Sequence, residues 1–142
     1  MRKRTKRKHY IKAVPCLLLD HIMPDAKIAL YQALDAFKNG WAQPFHFDTM
    51  LDARDMLLLG AVAKEQEDIA EAARSFTIPL SNIKDSWDGE KFYVNDEEVE
   101  ALKMLLEMYD DFWVGQTGFL FQEAFLTLKE YRKKHFEKEH TQ

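Results

Sequence analysis

An asparagine followed three residues later by a glutamate, Asn95 and Glu98, opens the segment that most constrains this chain. An N-cap side chain and its reciprocal acid satisfy backbone N–H groups that a helix start leaves unpaired, so a helix is expected from there to about Trp113. Along it Val99, Leu102, Leu106, Tyr109 and Trp113 form one apolar stripe, and Ala101, Leu105, Met108 and Phe112 form a second beside it. At about 100° per residue the two together span roughly half the circumference. Such a helix must be covered by others, and it is expected to be the central one.

Other segments carry the same period. Ala26, Leu30, Ala33, Leu34 and Phe37 place a helix at about Asp25 to Lys38, stopped by Asn39-Gly40. A second begins near Pro44, where proline suits a first turn, and Phe47, Met50, Leu51, Leu58 and Ala61 follow. Its spacing continues through Val62, Ile69, Ala73 and Phe76, so one long helix and a break at Gly60 both fit. A last helix from about Phe119 to Phe136 is expected to turn Phe121, Ala124, Phe125, Leu128 and Tyr131 inward. Between them, Pro79, Ile83, Trp87, the Asp88-Gly89 turn and Phe92-Tyr93-Val94 suggest a short hairpin or ordered loop over residues 77–94. Residues 10–23 turn apolar around Pro15 and Leu17 to Leu19, as an extended segment or short helix on the core.

The expected fold class is therefore mostly α: a compact bundle of about four helices with a hairpin or ordered loop near residues 77–94 and a basic N-terminal arm. Residues 1–9 form the arm, 10–138 a single helical domain and 139–142 a polar tail. At 142 residues, 46% apolar and 31% charged, the chain has the length and composition of one folded domain. The longest uncharged apolar run, Ala13 to Leu19, falls far short of the roughly 20 residues of a membrane span. No apolar leader follows the N-terminal charges, and Cys16 is the only cysteine, which fits a reducing, cytoplasmic setting without disulfides.

Charge is unevenly distributed. Arg2, Lys3, Arg4, Lys6, Arg7, Lys8 and Lys12 precede the first acid, Asp20, so the remainder carries −11 to give the net −4. The arm has no aliphatic or aromatic residue after Met1 and is expected to be mobile without a partner. Arg2, Lys3, Arg4, Lys6, Arg7 and Lys8 are candidate contacts to nucleic-acid phosphate or to an acidic protein surface. The acidic body opposes a broad nucleic-acid surface.

Three other constellations stand out. His46, Asp48, Asp52 and Asp55 gather near one helix start, where acids more often form a solvated face than a catalytic or cation site. Glu137 and His140 form a single E-x-x-H pair, the spacing that carboxylate-bridged di-iron bundles use twice. His9 and His21 lack ligand spacing with each other or with Cys16, and no cofactor is expected. Finally Tyr109, Phe112, Trp113, Phe119 and Phe121 crowd one helix-turn-helix stretch, as core or as a candidate protein interface. Nucleophile-elbow and phosphate-loop motifs are absent.

The opening MRKRTKRKHY resembles the start of small uncharacterised phage and prophage proteins of Gram-negative bacteria. The resemblance implies an accessory role in the bacterial cytoplasm, where such proteins occlude or redirect a host protein, including defence systems. The expected function is thus a non-enzymatic helical protein that binds and modulates a host or phage macromolecule. Its alternatives are a nucleic-acid-associated protein acting through the arm and a small enzyme using residues 46–55. A protein partner is expected, and self-association stays open.

Overall fold

The computed structural model describes the backbone of residues 24–140 and the side chains of residues 28–135. Helices α1 (Pro24–Asn39), α2 (Pro44–Ala63), α3 (Glu67–Ser75), α4 (Thr77–Asp85), α5 (Asp96–Val114) and α6 (Gly118–His140) follow one another, with no strand among the described residues. The fold is mostly helical, with two more helical segments than the four expected. The basic arm and the apolar stretch before Pro24 lie outside the described residues.

Each helix start has a local cause. Asn95 accepts the Glu98 N–H at 2.7 Å while Glu98 accepts the Asn95 N–H at 3.0 Å, the capping box that opens α5. Pro44 opens α2, where its missing N–H costs nothing. That helix passes straight through Gly60 and ends at Ala63, because Glu65 takes a positive φ of 56° and turns the chain into α3. Gly60 is tolerated mid-helix because Phe112 and Trp113 press against its bare backbone.

The core is built around α2, which touches α1, α3, α5 and α6. It supplies Phe47, Met50, Ala53, Met56, Leu57 and Ala61, all buried. The role of central helix therefore passes from α5 to α2. Although α5 buries Leu102, Leu105, Leu106, Phe112 and Trp113, it leaves Met104 half exposed. Leu30, Ala33 and Phe37 of α1 are buried along the expected stripe. Among the described residues of α6, Ala124 and Leu128 are the buried hydrophobic side chains; Phe125 and Tyr131, expected inward, are exposed because this helix leans on α2 along a narrow strip.

Of the hairpin or ordered loop expected near residues 77–94, no hairpin forms. Thr77–Asp85 is helix α4, in which Pro79 sits in the first turn and Leu80 and Ile83 reach the core. Residues 86–95 form the ordered loop instead. Its Asp88 carboxylate accepts N–H bonds from Glu90 (2.8 Å) and Lys91 (2.9 Å) and the Tyr93 hydroxyl (2.8 Å), while Gly89 supplies the positive φ of 100°. Phe92 then closes the loop onto Phe37, Phe47 and Trp87, with ring centroids 5.4, 6.1 and 4.7 Å away.

Candidate functional site

The α1–α2 corner sets out its aromatic side chains by a simple local logic. Gly40, with φ of 81°, ends α1 in the left-handed conformation that favours glycine. The Trp41 N–H then reaches back to the Ala36 carbonyl at 3.0 Å, and Ala42 is buried. With Ala42 anchored inward, Trp41 beside it stands half exposed. Phe45, one residue into α2 beyond Pro44, is 63% exposed, while Phe47 two residues on is buried.

His46 joins these rings. It is buried, its ring centroid 5.2 Å from Trp41 edge-on and 3.9 Å from Phe45. Its Nδ1 accepts the Gln43 N–H at 2.8 Å, which places the proton of the neutral ring on Nε2. Burial lowers the pKa of His46 below the ordinary histidine value. This histidine is thus a neutral prop beneath two exposed rings.

Trp41 also closes one end of an open groove of about 430 Å³ along α1, lined by Ile28, Tyr31, Gln32, Asp35 and Trp41. Ile28, Tyr31, Gln32 and Asp35 follow at i, i+3, i+4 and i+7, one face of the helix, opposite Leu30, Ala33 and Phe37. Ile28 and Tyr31 are about half exposed on it. The Tyr31 hydroxyl donates to Asp110 of α5; that bond, then partial burial and the charges of Asp110, Glu107 and Asp111, push the phenol up to about 12. Ile28, Tyr31 and Trp41 therefore line one apolar groove beside Asp35 and Asp110, and His46, in ring contact with both, links Trp41 to Phe45.

The residues singled out from sequence are distributed elsewhere. Phe112 and Trp113 are core side chains, with rings 4.9 Å apart, and Phe121 is partly buried with its centroid 5.0 Å from Trp113. Tyr109 is partly buried near Trp113, and only Phe119 stands at the surface. Arg2, Lys3, Arg4, Lys6, Arg7 and Lys8 lie outside the described residues, as do His9, Cys16 and His21, and the side chains of Glu137 and His140 are likewise not described.

Two of the three acids on α2 already have partners. Arg132 of α6 donates to Asp52 and, at 3.0 Å, to Asp55, whose other oxygen lies 3.1 Å from Arg54 Nε without hydrogen-bond alignment. Burial pushes the Asp52 carboxyl up although Arg132 pulls it down. This cluster ties α6 to α2. His46 faces Trp41 and Phe45 instead, and among the described residues no group of three His, Cys, Asp or Glu is placed to hold a metal ion.

Sequence reasoning missed Ile28, Trp41 and Phe45 because a search for core stripes assigns no role to apolar residues between stripes. The available signal was two large aromatics, Trp41 and Phe45, on either side of Pro44 within five residues.

No protein-family model matches the chain, and no curated protein and no solved structure matches it. Among the described residues no helix is long and apolar enough to cross a membrane.

Proposed function

We propose that this chain is a non-enzymatic binding protein that docks a protein partner on the Ile28, Tyr31, Trp41 and Phe45 corner. One observation carries the reading: Trp41 and Phe45 stand exposed yet are fixed in place, by the Ala36 and Ala42 anchors and by the ring of His46. Large rigid aromatics lose little conformational entropy on binding and are enriched at interface centres. Asp35, with Glu107, Asp110 and Asp111 beside Tyr31, favours a partner segment that is apolar and basic. The N-terminal resemblance points to a phage or prophage accessory protein, for which the partner is a host or phage macromolecule in the bacterial cytoplasm. The −11 carried by the chain from Asp20 onward supports a protein partner over nucleic acid, whose contact would rest on Arg2 to Lys8.

Capture from bacterial lysate, with and without nuclease, tests this. The expected result is a nuclease-resistant protein retained when residues 2–8 are deleted and lost from Trp41→Asp and Phe45→Asp chains that keep their helical spectrum. Recovery of nucleic acid alone, lost with the arm, overturns it.

A further inference from the structure

The loop that Asp88 organises leaves one edge of its backbone open. Lys91 donates its N–H to the Asp88 carboxylate at 2.9 Å and accepts the Asp88 N–H at 3.2 Å, and Tyr93 donates its N–H to Ser86 Oγ at 3.0 Å. The N–H groups of Phe92 and Val94 have no acceptor among the described residues. Exposure alternates in step: Lys91, Tyr93 and Asn95 are exposed, Phe92 and Val94 partly buried. Alternation by two in both bonding and burial is the pattern of an extended strand, here with its second edge unpaired.

That segment borders a cavity of about 370 Å³ between the loop and the last turn of α1. Phe37, Ala42 and Phe92 give it an apolar floor, Lys38 and Lys91 stand exposed at its rim, and no Asp or Glu lines it. Neither lysine forms an ion pair among the described residues; Lys91 Nζ lies 4.8 Å over the Tyr93 ring. The Asp88 and Asp35 carboxylates already accept hydrogen bonds from the loop and from Asn39. A cation in the last turn of α1 suits the helix dipole, which accounts for Lys38 but not for Lys91 on another element.

We propose that this edge takes up an extended segment of a partner protein by strand addition, its apolar side chains turned to the floor and the acidic ones between them meeting Lys38 and Lys91. Backbone pairing with Phe92 and Val94 supplies affinity, and the period of two supplies selectivity. Charge selects the occupant: a second copy paired edge to edge would bring lysine against lysine, whereas an acidic segment is complementary. The chain from Asp20 onward carries −11, so two lysines at one open edge are a local reversal of sign. The edge shares the Asn39–Ala42 link with the Trp41 corner but does not rest on docking there.

Amide hydrogen exchange in the full chain tests this, with a terminally blocked pentapeptide alternating valine and glutamate as the probe and its valine–lysine counterpart as the control. In the free chain the Phe92 and Val94 amides should exchange nearly as fast as in an unstructured chain. Saturating valine–glutamate peptide should slow both by roughly tenfold and leave the Lys91 amide, already bonded, unchanged. The valine–lysine peptide should protect neither, and Lys38→Glu with Lys91→Glu should reverse the preference between the two peptides. Slow exchange of both amides in the free chain overturns the proposal, because the edge is then already covered. So does a glutamate peptide that protects neither amide at millimolar concentration, or equal protection by the two peptides.

Discussion

Gly60 of α2 lies so close beneath Phe112 of α5 that a Cβ at position 60 would stand 2.5 Å from Phe112 Cε1 and 2.9 Å from the Trp113 ring. A Gly→Ala change in a helix normally gains up to about 1 kcal/mol. Overpacking a filled core costs about 1–3 kcal/mol, and here the obstacle is two wedged rings, so the clash wins. Gly60→Ala is expected to lower stability by up to about 2 kcal/mol in denaturant titration, balancing those two terms. Adding Phe112→Leu should recover part of that loss, whereas a stabilised Gly60→Ala chain would show that α2 and α5 do not approach so closely.

His46 gives the stability a defined pH dependence. Its neutral ring accepts the Gln43 N–H, and burial depresses its folded pKa below 6.5. The unfolded chain therefore binds the proton more tightly, and stability falls as pH drops beneath about 6.5 until the folded pKa is passed. His46→Asn keeps an acceptor near the Gln43 N–H without a titrating group. The difference between parent and variant melting temperatures should grow from neutral pH to pH 5 in the variant's favour. A constant difference contradicts a buried neutral His46.

Arg132 holds Asp52 and Asp55 on neighbouring turns of α2, which would otherwise repel. The guanidinium and the Asp52 side chain are more than a third exposed, so solvent screens the pair. Pairs of that kind contribute about 0.2–1 kcal/mol, and Arg132→Ala is expected to stay within that range by denaturation. In the Arg132→Ala background, Asp52→Asn should be neutral or restoring, since it removes the remaining repulsion. A further loss would show that Asp52 contributes through other contacts.

Asp88 organises the loop after α4. N–H bonds from Lys91 and Glu90 and the Tyr93 hydroxyl hold its carboxyl down at about 2, against an ordinary value of 3.8. The folded carboxyl loses its proton more readily, so its contribution is present above about pH 4 and lost as pH falls through about 2. A carboxyl-detected titration should place Asp88 well below the ordinary aspartate value, and Tyr93→Phe should raise it. An ordinary midpoint would contradict the three-donor loop.

The helices were legible wherever a cap and a stripe agreed: Asn95 with Glu98, Pro44 with Phe47 and Met50, Asn39-Gly40 after Phe37. Helix α4 was hidden because Pro79 in a first turn and Pro79 in a hairpin read alike from sequence, and only the burial of Leu80 and Ile83 separates them. For Phe112 and Trp113, composition favoured core over interface without deciding between them; the close approach of Gly60, distant in sequence, commits them to the core. The exposed corner escaped because Trp41 is turned outward by the anchoring of Ala42, a tertiary event without periodic trace.

The central claim is that the Trp41 and Phe45 corner is where a partner protein docks. A photo-crosslinking amino acid placed at Phe45, and separately at Ile78, which is also apolar and 71% exposed but lies on α4, tests it in living bacteria. A discrete protein adduct from position 45, absent at Ile78 and lost on Trp41→Asp, is the predicted result. Adducts from Ile78 alone, or equal adducts from both positions that survive Trp41→Asp, would contradict it.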